Sequence, residues 1–145
     1  MIVRDARPTD VSAVHRLIGQ LADAPDEAAF GTRFEDVLAT DDHRIIVAEA
    51  EGKVVGVLHM FERPALEKSC EAVVQALVVD SEARSGGVGE VLMCEAETWA
   101  QARQLPSASL YRRVDRTRSH AFYERLGYRV KGTSVRMDRS LTGTP

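Results

Sequence analysis

Leu77-Val78-Val79-Asp80-Ser81-Glu82-Ala83-Arg84-Ser85-Gly86-Gly87-Val88-Gly89-Glu90-Val91-Leu92 is the stretch on which the fold turns. It begins in a continuous apolar run, Ala76-Leu77-Val78-Val79, which reads as a central strand covered on both faces. Ser85-Gly86-Gly87 breaks the run. A helix is predicted from about Val88 to Arg103, burying Val88, Val91, Leu92, Ala96 and Trp99, and Pro106 stops it.

A glycine turn between a buried strand and a helix suits an anion. Glycine permits positive φ, and without Cβ it lets a ligand approach the backbone. The first N–H groups of a helix have no partner inside it and sit at the positive end of its dipole. The amides from Ser85 through Glu90 therefore form a cradle for a pyrophosphate, with Arg84 as a charged donor at its mouth. No Gly-Lys-Ser/Thr follows, which excludes a Walker loop. Leu92 stands where a dinucleotide fingerprint needs its third glycine, and Leu105–Tyr111 holds no acid for a ribose.

Working outward, Ile2–Ala6 reads as a strand. Thr9 or Asp10 caps a helix with Val11, Val14, Leu17, Ile18 and Leu21 on one face. Pro25-Asp26 opens a second helix with Phe30, Phe34, Val37 and Leu38 as its stripe. Arg44–Ala50 and Lys53–Phe61 form a hairpin about Glu51-Gly52, and Cys70–Val79 is the strand that ends at the turn. Beyond Pro106 come a strand at Ser107–Tyr111, a short helix at Ser119–Leu126 capped by Gly127, and a last strand at Tyr128–Asp138. The order β-α-α-β-β-β-α-β-α-β predicts an α/β (α+β) fold: one mixed sheet with helices on its faces, a single domain over residues 1–140 and a frayed tail at 141–145.

At 145 residues such a domain buries ~70% of its unfolded surface and needs no staple. Acidic residues outnumber Lys and Arg, 22 to 19, the wrong balance for a nucleic-acid binder. Arg112, Arg113, Arg116, Arg118 and Arg125 nevertheless make a local basic patch, suited to a small polyanion. Cys70 and Cys94 and the four histidines have no metal-like spacing, so no metal is expected. The cysteines suit a reduced, cytoplasmic compartment, and neither a membrane span nor a signal peptide is expected.

Arg84-Ser85-Gly86-Gly87-Val88-Gly89 resembles the Arg/Gln–x–x–Gly–x–Gly/Ala signature of the GNAT superfamily of N-acetyltransferases, and Leu77–Asp80 and Val91-Leu92 match its flanks. The resemblance covers most of the chain and is strongest from Leu77 to Tyr128. It implies acetyl-CoA as co-substrate, a mostly antiparallel sheet in which two parallel strands splay apart, and homodimers as a common state. Carried over, Leu77, Val78 and Val79 would hold the pantetheine arm, and Arg84, Ser85, Gly86, Gly87, Val88, Gly89 and Glu90 the pyrophosphate.

Ser119-His120-Ala121-Phe122-Tyr123-Glu124-Arg125-Leu126-Gly127-Tyr128 resembles the family's second motif, whose tyrosine faces the coenzyme sulfur. A phenol of pKa about 10 is a fitting acid for a departing thiolate, which makes Tyr123 the expected general acid. Arg116 stands where the family often has asparagine and is assigned to a coenzyme phosphate. The family's frequent base positions hold Gln75, Ala76 and Tyr111, so the candidates are Glu71, the nearest carboxylate on the central strand, then Glu62, Glu67 and His59 near the preceding hairpin end, each expected first as a solvated surface group, or a water relay.

Asp23, Asp26, Glu27, Glu35, Glu62 and Glu67 make the region of the first helices and the Glu62–Ser69 loop acidic, which favours a cationic amine. The pattern looks most like small-molecule acetyltransferases of the aminoalkylphosphonate and aminoglycoside type. The expected acceptor is thus a small primary amine. A peptide N-terminal acetyltransferase and a non-catalytic acyl-CoA sensor are the alternatives.

Overall fold

The computed structural model describes residues 1–84 and 86–143. The chain divides into two compact units, Met1–Tyr111 and Arg112 onward.

The first unit holds a five-stranded sheet in sequence order: β1 (Ile2–Asp5), β2 (His43–Ala50), β3 (Lys53–Arg63), β4 (Glu71–Val79) and β5 (Ala108–Leu110). Neighbours run antiparallel except β4 and β5, which are parallel because α3 (Val88–Ala102) carries the chain between them. Glu51 and Gly52 both take positive φ in the β2–β3 turn, as a two-residue hairpin requires.

Helices α1 (Val11–Ile18) and α2 (Glu27–Ala39) cover one face. Val14, Leu17, Phe30 and Phe34 pack there against Ile45, Val47, Val54, Val57 and Val78. Asp26 caps α2 by accepting the Ala29 N–H at 2.9 Å. Asp10 does not cap α1. Its carboxylate instead accepts the Arg7 amide at 2.7 Å and pairs with Arg4 at 2.8 Å, closing a 3-10 turn at Pro8–Asp10.

Helix α3 covers the opposite face with Val88, Leu92, Met93, Ala96 and Ala100. Val91 is exposed and Trp99 only half-buried, contrary to the sequence reading: the α3 face follows four-residue steps from Val88, and Val91 falls outside it. Gly56 permits the helix to lie close. A Cβ there would stand 2.8 Å from Val88 Cγ1 and 3.0 Å from Leu92 Cδ1.

The second unit contains α4 (Thr117–Arg125). The strand expected at Tyr128–Asp138 does not form. Residues 129–143 are irregular and exposed, Val130, Val135 and Met137 among them, and no described strand supplies the ladder partner that alternating residues need. No helix among the described residues is long and apolar enough to cross a membrane.

Candidate active site

Strand β4 changes character half-way along. Its register against β3 passes from Met60↔Val74 to His59↔Ala76, which leaves Gln75 as an extra, bulged residue. On its other side β4 pairs with β5 only at Ala72↔Ala108, Val73↔Ser109 and Val74↔Leu110. A bulge bends its strand and sharpens the local twist. From Gln75 to Val79 no described strand lies along the outer edge of β4. The predicted pantetheine residues Leu77, Val78 and Val79 are on this open stretch, whose backbone groups point outward as they would toward a missing strand.

The open edge runs into the turn. Asp80 closes it, accepting the Glu82 amide at 3.2 Å and the Arg16 guanidinium at 2.8 Å while its own N–H bonds the Val55 carbonyl at 2.8 Å. Arg16 and then the Glu82 amide hold this buried carboxyl below the usual carboxylate range. Gln20 accepts the Ser81 amide at 3.1 Å, so two residues of α1 and its C-terminal turn fasten the start of the connection. The sequence marks Asp80 only as part of the family-like flank, and Arg16 and Gln20, more than sixty residues away, carry no local signal.

Gly87 then takes φ 76° and ψ 12° as the residue before α3. A side chain there would meet nothing within 4 Å, so glycine serves the conformation and leaves space before the helix open. Val91 N–H bonds the Gly87 carbonyl at 3.1 Å, closing the first turn. The amides of Val88, Gly89 and Glu90 precede it and have no acceptor inside the helix. Arg84 is exposed and folds back, its Nε 3.4 Å from the Val79 carbonyl. Ser85 lies outside the described residues. The open strand edge, the space at Gly87 and the first-turn amides, which the helix itself cannot satisfy, fit a long amide-bearing arm ending in a pyrophosphate.

Glu71 starts β4 and is nearly buried, clamped by Arg63 and by Lys68 at 3.1 Å. Burial pushes its carboxyl up, but the hydrogen bonds from Arg63 and Lys68 outweigh this and hold it below the ordinary range. Arg63 also contacts Tyr111, which follows β5, with Oη 3.4 Å from Nη2. Glu62, expected near the acceptor, is tied to Arg103 at the end of α3. Glu27 accepts the Ser12 hydroxyl at 2.6 Å. Part of the acidic region thus has partners of its own. A hollow of about 360 Å³, lined by residues such as Asp42, His43, Trp99 and Arg103, opens at the β1 edge of the sheet, the edge opposite β4 and β5.

In the second unit, Tyr123 is buried on α4. The helix ends in a Schellman motif: Gly127 at φ 95° gives its N–H to Glu124 at 3.0 Å, and Tyr128 gives its N–H to Tyr123 at 3.0 Å. The apolar contact that accompanies this motif is made by the Tyr123 and Tyr128 rings, 6.0 Å apart and edge-on. The spacing Tyr–x–x–x–Gly–Tyr is therefore a helix stop that fixes its own tyrosine. Burial pushes the Tyr123 phenol up, and Arg112, 5.8 Å from the ring centre, draws it partly back. His120 bonds the Arg113 carbonyl at 3.0 Å, and Arg116 is exposed at the start of α4. Among the described residues no group of three His, Cys, Asp or Glu is placed to hold a metal.

A half-open strand leading to an anion-binding helix start accommodates a charged carrier with a flexible arm, and the class it defines is an acyltransferase. The chain belongs to the acetyltransferase (GNAT) family, whose sequence model matches residues 12–128. That family binds acetyl-CoA or CoA.

Among solved structures, the chain is similar to an aminoglycoside antibiotic 6'-N-acetyltransferase from Acinetobacter haemolyticus, with TM-score 0.87, 20% identity and coverage of 97% of this chain and 99% of that one. It is also similar to the aminoglycoside acetyltransferase AAC(6')-Iy bound to a bisubstrate analogue of CoA and acetylneamine, with TM-score 0.86, 17% identity and coverage of 96% and 97%. A protein described as a transcriptional regulator from Bacillus halodurans C-125 matches with TM-score 0.83, 23% identity and coverage of 95% and 99%. At these identities the likeness is one of fold. No curated protein matches the chain by sequence.

Proposed function

We propose that the protein moves an acetyl group from acetyl-CoA to the primary amine of a small molecule. The observation that carries this reading is the outer edge of β4, along which no described strand lies from Gln75 to Val79, followed by the turn into the first amides of α3. Leu77, Val78 and Val79 would hold the pantetheine amides by backbone, and Arg84 and the amides from Ser85 to Glu90 the pyrophosphate. Arg116 would add charge at a phosphate.

The amine attacks the thioester carbon directly, and Tyr123 gives its phenolic proton to the leaving sulfur. A buried phenol whose pKa is raised is fully protonated near neutrality, as that role requires. Glu71, ionised between two cations, is a weak base by itself; in this reading it orients a cationic acceptor or a water. The aminoglycoside enzymes among the structural neighbours support a small amine as acceptor. Titration calorimetry with acetyl-CoA, joined to thiol release over a panel of primary amines, tests the proposal. Binding with release is expected. Binding without release for any amine would reduce the protein to a sensor.

A further inference from the structure

Two of the four histidines meet on the sheet. His43 starts β2 and His59 lies in β3, where the register sets Phe61 opposite His43 and Ile45 opposite His59. The two imidazoles are thus diagonal neighbours on one face. His43 Nδ1 lies 3.0 Å from His59 Nε2, and His43 stacks on Phe61 with centroids 4.9 Å apart. A nitrogen pair at that distance needs one ring to donate and the other to accept, so a single hydrogen joins them.

The position of His59 gives the pair its use. His59 is registered opposite Ala76, beside the bulged Gln75 where the open edge of β4 begins. Residues paired across a ladder carry their side chains on the same face, with Cβ atoms about 5 Å apart. Ala76 carries only a methyl group, and both residues are part-buried with some surface exposed. The nearest carboxylate on β4, Glu71, is already committed to Arg63 and Lys68. His43, at the other end of the pair, lines the hollow at the β1 edge.

We propose that His59 takes the proton of the acceptor amine and that His43 relays it to solvent through that hollow. The inference rests on the acetyltransferase reading above. As the amine lone pair forms the C–N bond, the C–S bond breaks and its electrons go to sulfur, which takes a proton from Tyr123. The N–H proton passes to His59 Nδ1, the hydrogen on His59 Nε2 passes to His43 Nδ1, and His43 loses one from Nε2 to water. Solvent returns a proton to the phenolate.

Burial first, and then the neighbouring His43, push the His59 imidazole down to about 4. His59 is therefore neutral and able to accept at any pH where the enzyme would work. So weak a base suits a nitrogen that becomes acidic only as its lone pair enters the new bond.

The test uses His59→Gln, His59→Gly and His43→Gln, each checked by circular dichroism and by acetyl-CoA titration, with thiol release measured on an amine the wild type accepts. His59→Gln is expected to lower kcat/KM by about 100-fold or more while coenzyme affinity holds, and His43→Gln by less. His59→Gly should recover turnover when imidazole is added, in proportion to its neutral form, a response that a packing role does not give. Turnover by folded His59→Gln equal to wild type, or a folded, coenzyme-binding His59→Gly that imidazole fails to rescue, overturns the relay alone. A wild type that binds no acetyl-CoA overturns the acetyltransferase reading and the relay with it.

Discussion

The glycine turn and the tyrosine helix are both short motifs, yet they are held in opposite ways. The turn is fixed from a distance: Asp80 by Arg16 and Val55, Ser81 by Gln20, and the approach of α3 by the missing side chain at Gly56. Tyr123 is fixed at short range, by a cap whose bonds span three and five residues and by the ring of Tyr128. A ligand cradle made of backbone needs the surrounding fold to aim it. A single reactive side chain needs only a rigid turn beneath it.

The largest effect should come from Tyr123→Phe. It is expected to cut single-turnover thiol release by about 100-fold or more, leaving coenzyme affinity nearly unchanged. Equal losses in both would show that the tyrosine helix serves binding, and the contrast would fail. Asp80→Ala should lower the melting temperature more than either glycine change below, because it removes the acceptor shared by Arg16 and the Glu82 amide. Asp80 has its folded carboxyl pKa depressed, so its contribution is complete above the unfolded value of about 3.9 and is lost as pH falls through the lower folded value. The stability gap between wild type and Asp80→Ala should therefore close on acidification in that range, in urea titrations at stepped pH.

Gly56→Ala forces a methyl against Val88 and Leu92 and should cost about 1–3 kcal/mol. Because α3 must shift to admit it, coenzyme binding should weaken as well, which calorimetry would reveal. Gly127→Ala meets no atom within 4 Å, and only the left-handed backbone opposes it. About 1–2 kcal/mol of stability should be lost, with turnover falling and coenzyme affinity spared. If Gly127→Ala weakened the coenzyme as much as Gly56→Ala does, the two regions would not be independent.

This difference in how the regions are held also explains what the sequence disclosed. The five strands, α1 to α4, the opening of α2 at Pro25-Asp26 and the β2–β3 turn were all legible, because hydrophobic period and turn residues are local signals. So was the Gly86-Gly87 turn, down to the positive φ that one of its glycines adopts. The bulge at Gln75 was not, since a register shift belongs to two strands at once. Neither was the His43–His59 pair, sixteen residues apart, nor the clamp on Glu71 by Arg63, which arises from a cross-strand pairing. The Tyr128–Asp138 strand was expected from residue types, but pattern alone supplies no neighbour to bond with.

One extra residue in β4 has a consequence for solvent. Up to Val74 the strand has neighbours on both sides; beyond Gln75 it has one among the described residues. Successive backbone amides point to alternate edges of a strand. Deuterium should therefore enter this nine-residue strand unevenly, slowly where amides face β3 and quickly at every second position past the bulge. An amide-bearing ligand laid along the open edge would slow only those fast positions, a two-residue rhythm that tracks occupancy along the strand.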